Sequence, residues 1–283
     1  MALFSLLVAI MVERLKLLPA AWQLESILAL YTKQLFGRRQ LTSDVMMALA
    51  LLFPAIVVQV LIWSVNGVMF GFLSLLVWVC VAILCFSHLS QRKTFKRYMQ
   101  AACRGDRQAC YRFADALDPH HSLEAVSEQD LGAKVGQTVA WINYRFYGAV
   151  ALFLILLGPA GAVFYCSVRY FTDLAKAQNE PLPLVAKLLA VLDWLPSRLF
   201  AFGYVLSGQF SNANGVWLRH GLNWRTDAKT IITEVAIAAE PVSETSNAPV
   251  CVQSTLSLLL LSKRNFILLV TILSLLTIFG VVL

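Results

Sequence analysis

Long apolar runs separated by short polar stretches set the pattern of this chain. A hydrocarbon core about 30 Å thick needs roughly 20 apolar residues in a helix to cross it. Four segments meet that length: Val45–Val65, Val68–Ser87, Phe146–Cys166 and Phe266–Leu283. Asn66 and Gly67 are the whole connection between the first two, so residues 45–87 are predicted to form a transmembrane hairpin. Pro54 lies inside the first span and predicts a kink, because a membrane helix tolerates a missing hydrogen bond that its neighbours can make good.

Residues 1–40 predict a retained membrane helix ending at Pro19, followed by a helix lying on the membrane surface. The opening "MALFSLLVAIMVERLKLLP" lacks the basic start of a signal peptide and carries Glu13 and Arg14 where cleavage would fall. Trp22, Ile27, Leu30, Tyr31 and Leu35 then fall near one helical face, with Glu25, Lys33 and Gln34 opposite. Residues 88–145 are more polar and are expected to be a cytoplasmic helical region, in which Pro119 ends a helix near Leu117. The stretch 146–208 reads as a transmembrane helix, the loop "KAQNEPLPL" (176–184), and a proline-bent helix. Residues 209–262 read as a polar loop, with "AAEPVSETSNAPV" (238–250) as a linker, and residues 266–283 as the last span.

Charge orients these spans. Lys33, Arg38 and Arg39 precede the hairpin and Arg92, Lys93, Lys96 and Arg97 follow it, while its turn is uncharged. Cytoplasmic loops carry the excess of Lys and Arg, so both flanks are expected inside and the turn outside. Lys263 and Arg264 likewise mark the cytoplasmic end of the last span. The chain is 283 residues long, 59% hydrophobic and only 14% charged, against about 25% charged in soluble domains. The fold class expected is therefore all-α: a polytopic integral membrane helical protein with a cytoplasmic helical region. The net charge of +7 fits basic cytoplasmic loops, and no nucleic-acid partner is expected. The six cysteines have neither metal spacing nor the look of a disulfide framework, and neither phosphate-binding nor dinucleotide-binding glycine motif occurs. No metal, cofactor or catalytic residue is expected.

Candidate chemistry is concentrated in "VLDWLPSRLF", where Asp193, Pro196 and Arg198 interrupt an apolar stretch. A charge at the centre of a bilayer helix costs about 2.5–3.5 kcal/mol on insertion scales, so two of them call for partners. Five residues apart, the two side chains point about 140° apart on a straight helix. A bend at Pro196 would aim both at a shared cavity; a structural ion pair or snorkelling side chains are the plainer alternative. In "WINYRFYG", Asn143 and Arg145 stand at a membrane boundary, either as part of an aromatic anchor or as an anion site.

"LLVAIMVERL", "WINYRFY", "VLDWLPSRL" and the closing "LLTIFGVVL" occur in the order seen in the AmpE family, which this chain resembles over essentially its whole length. Those are inner-membrane proteins associated with β-lactamase induction in Gram-negative bacteria. The family in turn is similar to the CobD/CbiB membrane enzymes, which join an aminopropanol unit to a corrinoid acid. "RGDRQACYRFADAL" resembles a helical Gly-Asp segment of those enzymes, and "LDWLPSRL" is similar to their Asp-x-x-Pro-Ala-Arg-Leu element. Asp193, Pro196 and Arg198 would then occupy matching positions, and Arg169 would match an arginine ahead of an Asn-Thr-Leu-Asp motif. The asparagine of that motif and the enzymes' Glu-Ser pair are missing here, and an ATP-dependent ligase needs such oxygen ligands around Mg²⁺.

The resemblance thus implies a non-enzymatic, or vestigially enzymatic, membrane regulator linked to β-lactamase induction. Asn143, Arg145, Arg169, Asp193 and Arg198 would line a cytoplasm-facing cavity for an anionic small molecule, a cell-wall-derived ligand or a protein partner. The alternative is a CobD/CbiB-like ligase with an altered substrate.

Overall fold

The computed structural model describes residues 1–15, 19, 22–36, 44–118, 125, 127–178, 182–240 and 249–280. His120, His121, Arg38, Arg39, Asn179 and most of the 238–250 linker lie outside them. The architecture is all-helical: α1 (Ala2–Leu15), α2 (Leu24–Phe36), α3 (Asp44–Val65), α4 (Phe72–Phe86), α5 (Leu89–Cys103) and α6 (Arg107–Leu117). There follow α7 (Glu128–Asn143), α8 (Ala149–Gln178), α9 (Pro183–Ser207), α10 (Phe210–Gly221), α11 (Ala228–Ala239) and α12 (Val250–Ile278). Three stretches among the described residues are long and apolar enough to cross a membrane: Val45–Val65, the 51 residues Glu128–Gln178, and the 29 residues Val250–Ile278. Taken together with α5, α4 supplies a fourth. This is the helical, polytopic membrane class that the apolar runs predict. The described part of α1 is 14 residues, about 21 Å of helix.

The chain divides into two compact units. The first contains Met1–Ser87, Ala149–Asp193 and Ile272–Leu283. In it α1 packs on α4, while α3 and α4 pack on α8. Met47, Ala50 and Leu51 of α3 meet Val168 and Phe171 of α8 and Val185 of α9 in one buried cluster. The opposite side of α3 exposes Val45, Met46, Leu49, Phe53, Ile56 and Val60, an outer face suited to lipid. The connection from α3 to α4 is longer than the two residues expected: a 3₁₀ turn, Val68–Gly71, is inserted after Asn66 and Gly67. Gly67 (φ 82°) and Gly71 (φ 84°) take the left-handed conformations that close it.

A break in α8 has a local cause. Pro159 has no N–H to donate and its ring disfavours a helical residue before it. Gly158 accordingly leaves the helix at φ 70°, ψ −167°, a region open essentially only to glycine. The Trp78 ring lies 3.4 Å from where a Cβ would stand.

The second unit contains His88–Gly148 and Trp194–Thr271. Its core is built from α5, α6, α7 and the first turns of α12, with Tyr98, Cys110, Ala114, Leu131, Val135 and Val252 buried together. Gly132 and Gly136, four apart on α7, let that helix approach α12 closely. A Cβ on Gly132 would stand 2.6 Å from the Cys251 carbonyl oxygen, and one on Gly136 would stand 3.1 Å from that of Ser254. Polar bonds reinforce the seam. The Thr255 hydroxyl donates to the Gly132 carbonyl at 2.9 Å and the Tyr98 hydroxyl to the Cys251 carbonyl at 2.7 Å. A π-helical turn, Tyr144–Gly148, closes α7. There the Phe200 ring occupies the space a Cβ of Gly148 would need.

Two differences from the sequence reading have physical reasons. Residues 210–239, read as part of a polar loop, form two helices. Asp227 caps α11 by accepting the Lys229 N–H, and Ile231, Ile232, Val235, Ala236 and Ala239 bury one face. A 12-residue amphipathic helix leaves little trace in a hydropathy scan. The last helix starts at Val250, ahead of Lys263 and Arg264, because a basic pair marks a change of surroundings and does not end a helix.

The α7–α12 seam predicts opposite effects for two Gly→Ala changes. Gly132→Ala drives a Cβ into backbone and should lower stability by about 1–3 kcal/mol. Gly215→Ala, on α10 with open space around it, should be neutral or stabilising by up to about 1 kcal/mol. Thermal unfolding of the detergent-solubilised variants reads both.

Candidate functional site

Of the five sequence candidates, Arg169 and Asp193 belong to the first unit and Asn143, Arg145 and Arg198 to the second. In the first unit, α8 presents Tyr165 and Arg169 one turn apart. Both are buried, Arg169 to 2% exposure, as is Asp193 on α9 at 3%. The Tyr165 hydroxyl donates to Asp193 Oδ1 at 3.0 Å, and Phe153 stacks on the tyrosine ring with centroids 4.8 Å apart. A carboxylate held away from water is expensive unless hydrogen-bonded, and a hydroxyl aimed at an ionised oxygen is among the stronger bonds available. Arg169 Nη2 stands 3.9 Å from Glu25 Oε1 on α2, at the outer limit of an ion pair. The Tyr165 hydroxyl and the Asp193 carboxylate are thus paired in the packed interior of this unit, with Arg169 buried one turn along α8.

Arg198 finds a different solution. Its Nε donates to the Gly221 carbonyl at 3.1 Å, and its Nη2 to the carbonyls of Asn223 at 2.9 Å and Thr226 at 3.4 Å. Its Nη1 donates to the Trp194 carbonyl at 2.8 Å. The last carbonyls of a helix have no partner within it. Gly221 ends α10, so the guanidinium caps that terminus with a favourable positive charge. The Trp194 ring lies under the guanidinium at 4.6 Å and against Trp224 at 4.2 Å, and Trp217 Nε1 donates back to the Arg198 carbonyl at 3.1 Å. Arg198 is the pin on which the 221–226 corner is built.

The boundary pair is tied locally. Asn143 Nδ2 donates to the Val139 carbonyl one turn back at 2.8 Å, and the Arg145 guanidinium lies 5.7 Å from the Trp141 ring centre. Tyr144 packs between Trp141 and Phe200, and His88 stacks on Phe146 and Tyr147, so this segment is an aromatic joint.

Two features carry no signal in residue pattern. Tyr165 is one of many aromatics in apolar runs, and only the fold sets it beside Asp193. The second is a cavity of about 190 Å³ in the second unit, lined by Gly105, Arg107, Cys110, Tyr111, Glu128 and Cys251. Burial, with the Cys251 thiol adjacent, pushes the Cys110 thiol up to about 11, so at neutral pH it is a neutral thiol and a poor nucleophile. Among the described residues, no three His, Cys, Asp or Glu side chains gather as metal ligands.

These features define a helical membrane protein whose buried charges are held by hydroxyl, carboxylate and backbone partners. The family described as "Regulatory signalling modulator protein AmpE" matches residues 1–283, and the chain belongs to that family. Protein AmpE of Shigella flexneri is 28% identical over 297 aligned residues, covering 99% of this chain and 99% of that protein. No solved structure matches significantly.

The Arg198 pin predicts a localised loss of order. Arg198→Ala leaves the carbonyls of Gly221, Asn223 and Thr226 without their donor, a loss of about 1–3 kcal/mol. Trypsin cleavage after Arg225 should accelerate strongly, with Arg198→Lys intermediate because an ammonium lacks the fork. Peptide mapping of a digestion time course measures it.

Proposed function

We propose that this chain is an inner-membrane, multi-pass regulator acting in β-lactamase induction. Its signalling state, in this reading, depends on an anionic small molecule or partner sensed at the buried polar group of Tyr165, Arg169 and Asp193. Membership of a family of regulatory signalling modulators across residues 1–283 carries the regulatory role. The site follows from charge. Arg169 is a buried guanidinium 3.9 Å from Glu25, one turn along α8 from Tyr165, and a guanidinium fork suits carboxylate or phosphate. Arg198 is spent on backbone carbonyls and serves this function as architecture. Asn143 and Arg145 belong to the aromatic joint of the second unit. The basic residues flanking the α3–α4 hairpin support a cytoplasm-facing opening.

A regulator shifts an equilibrium between states by the difference in its ligand's affinity for them, typically about 1–3 kcal/mol. Asp193→Asn keeps the shape and removes the charge; Arg169→Gln removes the cation. In a strain carrying each variant as its sole copy, with membrane levels matched to wild type, the induced β-lactamase activity should change by about fivefold or more. Nitrocefin hydrolysis after β-lactam challenge measures it. Well-inserted variants with wild-type induction would refute the site. Saturable Mg-ATP binding with turnover by the purified protein would replace the regulator with the ligase reading.

A further inference from the structure

The corner between α10 and α11 turns its apolar residues outward. Ala213 of α10 is buried with Val216 and Trp217 partly so, yet Phe210, Leu218, Leu222 and Trp224 are exposed, the last two to 79% and 71%. Leu218 and Leu222 are one turn apart and share the outward side. Exposed large apolar groups close together mark a surface that meets something other than water. Arg219 and Arg225 are exposed beside them. Nearby, Asp227 accepts the Lys229 N–H, and Glu234 Oε2 stands 2.6 Å from His220 Nε2. The local surface is apolar at its tip, with the two exposed guanidiniums of Arg219 and Arg225 at its rim.

We infer that this corner docks into the boundary between phosphates and acyl chains of an anionic phospholipid bilayer. Leu222 and Trp224 would enter the acyl boundary, and Arg219 and Arg225 would meet phosphate oxygens. Tryptophan favours that boundary because its ring is apolar while its N–H still seeks a polar partner. Arginine heads match phosphate in two places. The corner is also rigid before it docks. Arg198 holds the carbonyls of Gly221, Asn223 and Thr226 from beneath, and Trp194 backs Trp224 at 4.2 Å. Little conformational entropy is left to lose on docking. Charge complementarity selects a lipid surface over an apolar groove on a protein, because two cations flanking two inserted side chains fit a sheet of phosphates.

The test uses the full chain in liposomes of phosphatidylcholine alone or mixed with phosphatidylglycerol, with plain or brominated acyl chains. The tryptophan emission lost in Trp224→Phe isolates that residue's signal. Leu222→Trp in the same background supplies a second probe of the same edge. In phosphatidylglycerol-containing bilayers, bromine should quench the signal by about twofold or more, and Arg219→Glu/Arg225→Glu should weaken that quenching. A signal quenched by aqueous acrylamide but not by brominated lipid puts the corner in water, free for a protein partner, and overturns the inference. Equal bromine quenching in neutral bilayers and in the double variant removes the anionic lipid from it.

Discussion

A charged or hydrogen-bonding group shut away from water must be given a partner by the protein itself, and that requirement shapes both units. It is why every described element is helical, since a helix satisfies its own backbone. It also governs the charges of α9. Asp193 is served by a side chain, the Tyr165 hydroxyl; Arg198 is served by main chain, the carbonyls that end α10 and begin the corner to α11. The first arrangement pairs two side chains, a hydroxyl and a carboxylate. The second uses an always-charged guanidinium to finish a helix terminus.

Close backbone approach is the second device, and it depends on the first. Where helix backbones come this close, the contact depends on packing and on short polar bonds. Gly132 and Gly136 bring α7 onto α12, where Thr255 and Tyr98 reach carbonyls of the facing elements. In the same unit, Asn265 donates to the Phe200 carbonyl at 2.9 Å, and Gly203 leaves it the room to do so.

Much of this was legible from residue order alone. The apolar runs announced the helical membrane class, and Asp193 and Arg198 stood out by charge in an apolar setting. What stayed hidden has a common cause. Arg198 is held by carbonyl oxygens, which every residue carries, so no residue type betrays the partner. Tyr165 differs from its aromatic neighbours only in where the fold puts it. The helices α10 and α11 are short and half polar, and hydropathy averages them into loop; Lys263 and Arg264 signal a change of surroundings, which α12 passes through unbroken. Glycines four apart were visible too, but their purpose emerges only once α12 lies against them.

The signalling site proposed around Tyr165 and Asp193 requires that the buried carboxyl group and its fixed hydroxyl partner act as one unit. A double-mutant cycle tests it directly: Tyr165→Phe, Asp193→Asn and the combination, each compared with wild type in unfolding free energy in the same detergent. A charge-assisted hydrogen bond of this kind predicts a coupling of about 1.5–3 kcal/mol, so the second change costs little once the first is made. Additive effects, with a coupling within about 0.5 kcal/mol of zero, would contradict it.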